Sequence, residues 1–495
     1  MADEEDTVMF YAPPISGLKR IPLEILLRIT SFLDTKDLCN VRLTCRALER
    51  SLDTTFVNEF FTRKQFMISE DSLACLIAIA RSRLGPHLRH VHFGLEHYPR
   101  MPRITGTDET ADVALIARHA SMFTLWATGN HRDMLADAFA HLSNLEHVVI
   151  RSFNSEKRSR DGYGRQWTSY GARTAGEELG YSIIQGANCH DELDNPFCSQ
   201  VFAAVVAALG QAEARPSGIE VMARGRHHQI KNFAFNIPPY MEHSVVPVVE
   251  HLENLHLDID LTPRSWSNPG HRIQSEENFM LRKFLSYATR LKHLRLNGIQ
   301  NENQDDKPLL KWLASPSSAS VDPNLPEVVT LPGPEFPRLE ELNLGRMRME
   351  GACILAVVRK FAPTLTRLEL VNLTLEEELP PGHDWRDGDP KANFCLTFLA
   401  QLRDIPGLHL HHIGLRNVQQ RFRMGARDKR KVSFNGEAHM AYTGPDWRHF
   451  VSDMIPKTKV EQEPETRNSN NPGNFYHQLD DAEDDGIWEQ YALEL

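Results

Sequence analysis

Nowhere in this 495-residue sequence is there a run of ~18 apolar residues, the length a helix needs to cross a bilayer. No membrane span is expected. The first ten residues, MADEEDTVMF, carry acids where a secretory signal or mitochondrial presequence carries bases. The expected location is therefore cytoplasmic, nuclear or both. Positive charge is short as well: 55 Lys+Arg against 66 Asp+Glu give a formal charge of −11, whereas nucleic-acid binding needs a concentrated basic face. Nucleic acid is not the expected partner. The seven cysteines (Cys39, Cys45, Cys75, Cys189, Cys198, Cys353 and Cys395) are scattered, odd in number and contain no C-x-x-C pair, which indicates neither a disulfide framework nor a zinc ribbon.

Catalytic motifs are missing too. G-x-S-x-G, H-E-x-x-H, G-x-x-x-x-G-K-[ST] and G-x-G-x-x-G are all absent, and Gly162-Tyr163-Gly164 lacks the third glycine. His409, His411 and His412 form an HLHH run, but alternation along a strand would put His411 and His412 on opposite faces, with no cysteine or carboxylate cluster to complete a site. Neither a metal nor another cofactor is expected. At 41% hydrophobic and 24% charged residues, the composition is that of an ordinary globular protein.

What the sequence does contain begins at Leu18. The stretch 18–52, LKRIPLEILLRITSFLDTKDLCNVRLTCRALERSL, places Ile21, Ile25, Ile29 and Phe32 at steps of four, four and three, which puts them on one helical face. Pro22 suits the first turn of that helix, which should end near Leu33. Asp34, with Asp37 three residues on, can cap a second helix carrying Leu38, Val41, Cys45, Leu48 and Leu52. Helices this short bury little alone and usually need a partner.

Downstream the period changes. Segments with the spacing apolar-x-x-apolar-x-apolar recur: LRHVHF (Leu88, Val91, Phe93), LEHVVI (Leu145, Val148, Ile150), IKNFAF (Ile230, Phe233, Phe235) and LENLHL (Leu252, Leu255, Leu257). LKHLRL (Leu291, Leu294, Leu296), LEELNL (Leu339, Leu342, Leu344), LTRLEL (Leu365, Leu368, Leu370) and IPGLHL (Ile405, Leu408, Leu410) continue the series. Each predicts a short strand, and the recurrence predicts leucine-rich repeats. Apolar stretches between them, such as 195–211 and 351–363, predict helices, so the fold class is α/β, an irregular solenoid with parallel strands.

The expected organisation is a flexible acidic lead (1–17), a helical module (18–60), a helical linker (61–85), the repeat domain (86–450) and an acidic tail (451–495). Inserted loops fall near 154–195 and 301–335. The asparagine usual eight residues after the first leucine of a repeat is replaced by Ile299, Met347, Leu373 and Ile413, which leaves the turn backbones without their usual partner and a regular horseshoe in doubt.

In such a repeat the residue between the last two apolar positions, and the one after them, face the concave surface. These are His92, Val149, Ala234, His256, Arg295, Asn343, Glu369 and His409, with Gly94, Arg151, Asn236, Asp258, Asn297, Gly345, Val371 and His411 beside them. A polar protein surface suits that mixture. His256, Asp258, Arg295, Asn297, Asn343, Glu369, His409 and His411 are the substrate-contact candidates. The basic run 416–431 (Arg421, Arg423, Arg427, Lys429, Arg430, Lys431) reads as a solvated loop, a nuclear localisation signal or a phosphate-binding patch.

Ile21-Pro22-Leu23-Glu24-Ile25-Leu26, then Ile29, Ser31-Phe32-Leu33, Asp37-Leu38 and Val41-Arg42-Leu43-Thr44-Cys45-Arg46 resemble an F-box. Two positions depart from the pattern: Ile21 stands where leucine is usual, and Ala47 and Leu48 stand where a tryptophan is common. The resemblance covers about 35 residues. With the repeats, it resembles the substrate receptors of Skp-cullin-F-box ubiquitin ligases. That implies docking on a Skp-type adaptor, and through it on a cullin, with an unidentified protein substrate held by the repeats. Such a receptor is not an enzyme; transfer would follow from proximity. The adaptor-contact candidates are Ile21, Pro22, Glu24, Ile25, Leu26, Ile29, Leu33, Leu38, Val41 and Cys45. Two alternatives stay open: a scaffold that docks without substrate turnover, and an unrecognised enzyme in the repeat region.

Overall fold

The computed structural model describes residues 21–97, 109–153, 159–161, 168–179, 196–223, 229–261, 278–299, 306–317, 331–378, 392–422 and 430–461. The lead 1–17 lies outside the described residues. Three helices come first: α1 (Leu23–Thr30), α2 (Thr35–Thr44) and α3 (Arg46–Phe60). The Asp34 carboxylate accepts a hydrogen bond from the Asp37 N–H at 2.7 Å, the cap its sequence predicts. Apolar spacing alone reads straight through from Leu38 to Leu52, but Cys45 is extended (φ −161°, ψ 155°) and splits the stretch into α2 and α3. The break lets Leu48, Leu52 and Phe60 pack against Leu26 and Leu38 in one small core.

The stretch 61–85 is not wholly helical. It opens with β1 (Arg63–Met67) and continues into α4 (Glu70–Ala80). The next strands are β2 (His90–Gly94), β3 (His147–Arg151), β4 (Gly218–Met222), β5 (Ile230–Lys231), β6 (Asn254–Asp260), β7 (His293–Asn297) and β8 (Glu341–Gly345). After them come β9 (Arg348–Met349), β10 (Arg367–Val371), β11 (Thr374–Glu377), β12 (His412–Arg416), β13 (Gln419–Phe422), β14 (Arg430–Phe434), β15 (His439–Thr443) and β16 (Thr458–Glu461). The main sheet runs β1-β2-β3-β4-β6-β7-β8-β10-β12-β15, with β5 beside β6. Its pairings are parallel except for β15, which closes the sheet antiparallel to β12.

Between the strands lie α5 (Glu109–Ala127), α6 (Asn130–His141), α7 (Ala172–Leu179), α8 (Phe197–Gln211), α9 (Pro239–His251) and α10 (Phe279–Tyr287). They are followed by α11 (Lys307–Ala314), α12 (Gly351–Phe361), α13 (Phe394–Arg403) and α14 (Trp447–Met454). Helices α4, α6, α8, α9 and α10 pack each against the next, as do α11 to α14. One side of the sheet is a row of apolar side chains (Phe93, Ile150, Val221, Leu257, Leu296, Leu344, Leu370, Leu415) buried in one core with these helices. A parallel sheet with crossover helices is the arrangement that chain order demands.

Two of the expected strands differ. In IKNFAF only Ile230 and Lys231 pair, and residues 232–235 form a 3₁₀ turn. Phe235 is drawn into the helix layer by Phe202 and Phe284, 5.1 and 5.5 Å away between ring centres. Ala234 and Asn236 are therefore not on the sheet. In IPGLHL, Gly407 is left-handed (φ 74°), and the strand begins only beyond the segment, at His412; the apolar frame there is Leu410, Ile413, Leu415.

The absent asparagines have a replacement in the last strand–helix units. After β8, β10 and β12 the chain turns through left-handed Arg346, Asn372 and Asn417 (φ 52°, 53° and 50°), then buries Met347, Leu373 and Val418. The short strands that follow form a second sheet, β16-β14-β13-β11-β9. Turn amides bond to the neighbouring unit: Arg346 N–H to Val371 O, Asn372 N–H to Arg416 O and Asn417 N–H to Ala438 O, each 2.9 Å. Backbone thus does what a side-chain ladder would do.

This sheet also takes in part of the basic run and the beginning of the expected tail. Arg421, Arg430 and Lys431 lie on β13 and β14, while α14 and β16 carry ordered structure to Glu461. The rest of the tail, 462–495, and residues 423–429 lie outside the described residues. The region expected as a loop near 301–335 contains α11.

Candidate functional site

Two surfaces carry the candidate residues. On the helical unit, Leu26 and Leu38 are buried in its own core, with Ile21, Leu33, Val41 and Cys45 half-buried around it. Pro22, Glu24, Ile25 and Ile29 are exposed. The outward apolar set is Leu23, Ile25, Ile29, Phe32 and Leu43, with Phe32 75% and Leu43 83% exposed. Ile25 and Ile29 are one helical turn apart, and Phe32 stands in the α1–α2 turn beneath the Arg28 guanidinium, 5.2 Å from the ring centre. Five large apolar side chains are thus exposed on a unit of three short helices, three of them (Ile25, Ile29 and Phe32) spaced along α1 and the turn that follows it. Leu23, Phe32 and Leu43 are absent from the contact candidates although all three stand within the quoted motif. Spacing names the helix, but which side of it faces inward depends on how α3 folds back.

The second surface is the polar face of the main sheet. Register places Glu220, His256, Arg295, Asn343 and Glu369 side by side on β4, β6, β7, β8 and β10. Asp258 and Asn297 stand two residues further along the same face. Asp258 accepts from the Asn297 amide at 2.8 Å and the Ala223 N–H at 2.7 Å. Burial raises its pKa against those bonds and the charges of Arg346 and Arg295. Burial, reinforced by Arg295 and Arg346, holds His256 well below the usual histidine range, so its ring is neutral at physiological pH.

The other acids on this face are also engaged. Glu220 accepts from His147 at 3.1 Å. Glu341 meets the Asn343 amide at 2.8 Å and the Arg367 guanidinium at 3.2 Å. Glu369 pairs with His412, whose other ring nitrogen meets Thr443 Oγ1 at 2.8 Å. The buried side-chain oxygens of Asn254 and Asn343 have no hydrogen-bond donor among the described residues.

Glycines interleave with these side chains. A Cβ at Gly218 would sit 2.4 Å from His147 Nδ1, at Gly345 2.2 Å from Asn297 Oδ1, and at Gly414 2.2 Å from Glu369 Oε2. Each glycine is where a long polar side chain from the adjoining strand lies flat across the backbone.

Six substrate candidates, His256, Asp258, Arg295, Asn297, Asn343 and Glu369, are thus brought together on one face. His409 and His411 are not: both are exposed and precede β12, and the face position belongs to His412. His293, Glu341 and Arg367 share the face as well. The repeat spacing overlooks them because it starts each strand at the second leucine position, whereas alternation runs back one residue further.

No curated protein matches the chain. Residues 18–57 match the F-box-like family, the segment that spans α1, α2 and most of α3, so the chain carries an F-box-like domain.

Proposed function

We propose that this protein is the substrate-recognition subunit of a Skp-cullin-F-box ubiquitin ligase. The F-box-like unit docks on a Skp-type adaptor through Leu23, Ile25, Ile29, Phe32 and Leu43, and brings a cullin with it. The observation that carries this reading is the exposed apolar set on a unit that already has its own core, within the segment matched to the F-box-like family. Anchors of this size at an interface typically cost ~2 kcal/mol or more when truncated.

The stacked strand–helix units act as an irregular leucine-rich-repeat array, and its polar face holds a protein substrate. The register that gathers His256, Asp258, Arg295, Asn297, Asn343 and Glu369 on one side of the sheet supports this. The chain supplies no catalytic residue; transfer proceeds by holding substrate lysines near the ligase-bound donor. Its place is the cytoplasm, the nucleus or both.

The test is binding of purified Skp-type adaptor to the wild-type chain and to Ile25→Asp/Ile29→Asp, two exposed positions whose change leaves the Leu26–Leu38 core intact. Undiminished binding by the variant sinks the docking assignment. Ubiquitination of a captured substrate, lost on replacing Arg295 and Asn343 with alanine, separates a receptor from a scaffold.

A further inference from the structure

The chain leaves β3 at Arg151, and at residues 159–161 it lies against the helical unit rather than the sheet. Arg160 donates from Nε and Nη2 to the two carboxylate oxygens of Glu59, at 2.6 and 2.7 Å, near the end of α3. Its Nη1 donates to the carbonyl oxygens of Thr30 and Leu33, the latter at 2.8 Å, where α1 ends. Asp161 accepts from the Thr35 N–H at 2.8 Å and from the Thr35 hydroxyl at 2.7 Å, where α2 begins. Two consecutive residues therefore tie all three helices of a unit more than a hundred positions away.

The same excursion is held at its other end by the sheet. Tyr170 N–H donates to Gln65 O at 2.9 Å, and Tyr170 O accepts from Met67 N–H at 3.2 Å and Ser72 Oγ at 2.8 Å. Ala172 and Ala175 then pack on Met67 and Met122. The bonds of Arg83 to Asp53 (3.0 Å) and Glu49 (3.3 Å) also join the unit to the body, but Arg83 is 64% exposed, and exposed pairs of this kind contribute little. The Arg160 side chain is only 9% exposed.

We propose that Arg160 and Asp161 form an intramolecular clasp that fixes the orientation of the α1–α2 turn, and with it Phe32, relative to the sheet. They are positioning residues: they touch neither proposed partner. Only the consequence for adaptor geometry rests on the docking role proposed above; the clasp stands on its own contacts.

The experiment uses the full chain with Arg160→Met, Asp161→Ala, their combination, the conservative Arg160→Lys, and Arg173→Met as a control at the exposed Arg173–Glu177 pair of the same excursion. Hydrogen exchange at the Thr35 amide should quicken about tenfold in Asp161→Ala, the value of one hydrogen bond. The distance distribution between genetically encoded labels at Lys36 and Glu437 should broaden in the double variant, return part of the way with Arg160→Lys, and stay unchanged with Arg173→Met. A double variant with a folded sheet and an unaltered distribution overturns the proposal, even if exchange rises, because the two residues would then be a local cap only. Adaptor binding is measured in parallel. A wild-type chain that does not bind overturns the docking role, while the label distances still decide the clasp.

Discussion

Replacing Gly218 with alanine tests whether the polar face is built from side chains lying on glycines. The new Cβ would fall 2.4 Å from Nδ1 and 2.5 Å from Cε1 of His147, far inside contact distance, so the ring must swing away. Backbone is not the obstacle, since Gly218 is not among the left-handed residues, and a compatible Gly→Ala change by itself gains about 0.4–1 kcal/mol. The swing breaks the 3.1 Å bond to Glu220 and the stacking of His147 on His90, with ring centres 5.1 Å apart. Although burial pushes the Glu220 carboxyl up, its bond to His147 and the charges of His147, Arg295 and His90 hold it below the usual carboxylate range, so a buried anion is left short of its main partner. A lost charge-assisted hydrogen bond (about 1.5–3 kcal/mol) and overpacking strain (about 1–3 kcal/mol) sum, less the backbone gain, to about 2–5 kcal/mol. Urea unfolding should show a lower midpoint at unchanged slope. In a His147→Ala background the same glycine change should be neutral or mildly stabilising. Equal effects in the two backgrounds, or a wild-type cost under about 1 kcal/mol, would refute the reasoning.

Three further outcomes are expected. Glu376, 3% exposed, takes Arg348 at 2.9 Å and Arg421 on the same oxygen; Glu376→Gln leaves two guanidinium groups facing each other and should cost about 3 kcal/mol, read as a lower midpoint in thermal or urea unfolding. Lys360 Nζ donates to the carbonyl oxygens of Leu313, Ser315 and Pro334 at 3.0, 2.7 and 2.8 Å; Lys360→Met should destabilise by about 2–3 kcal/mol and speed hydrogen exchange locally around residues 331–336, and no local change would remove the tether. Burial, followed by His147 and Arg63, lowers His90 to about 4 from the ordinary 6.5. Between those values the unfolded chain takes up a proton that the folded chain refuses, so stability falls as pH falls through that window. His90→Phe should flatten this acid limb by up to one proton, and identical limbs in the two proteins would contradict it.

Strands with a large apolar residue at both inward sites and a third apolar residue three positions before the first were legible because a buried parallel strand needs little else: LRHVHF, LEHVVI, LENLHL, LKHLRL, LEELNL and LTRLEL each contain one. β4 escaped because PSGIEVM has proline where the first apolar position should be, and β1 because RKQFM begins with two cations. β9, β11 and β13 are too short, and too charged at Arg348, Glu376 and Arg421, to register as strands; those charges find their partners only once the three strands lie side by side. For the site, alternation along the strands was enough to bring His256, Asp258, Arg295, Asn297, Asn343 and Glu369 to one face, and it failed where Gly407 moved the frame and where residues 232–235 turn out of the sheet. The grip of Arg160 and Asp161 on Glu59, Thr30, Leu33 and Thr35 had no trace in any local pattern, because it joins segments through a long excursion.

Gly218, Gly345 and Gly414 bear on how a partner would be received. A side chain lying flat on a neighbouring backbone has surrendered its rotamers during folding, whereas a freely projecting arginine or glutamate gives up about 0.5–1.5 kcal/mol of mobility when a complex forms. His147, Asn297 and Glu369 are held down in this way, so little disorder remains in them to be lost on contact. A molecule landing there would meet side chains already held in place, and its affinity would be governed by the complementarity of its own shape rather than by the adaptability of the sheet.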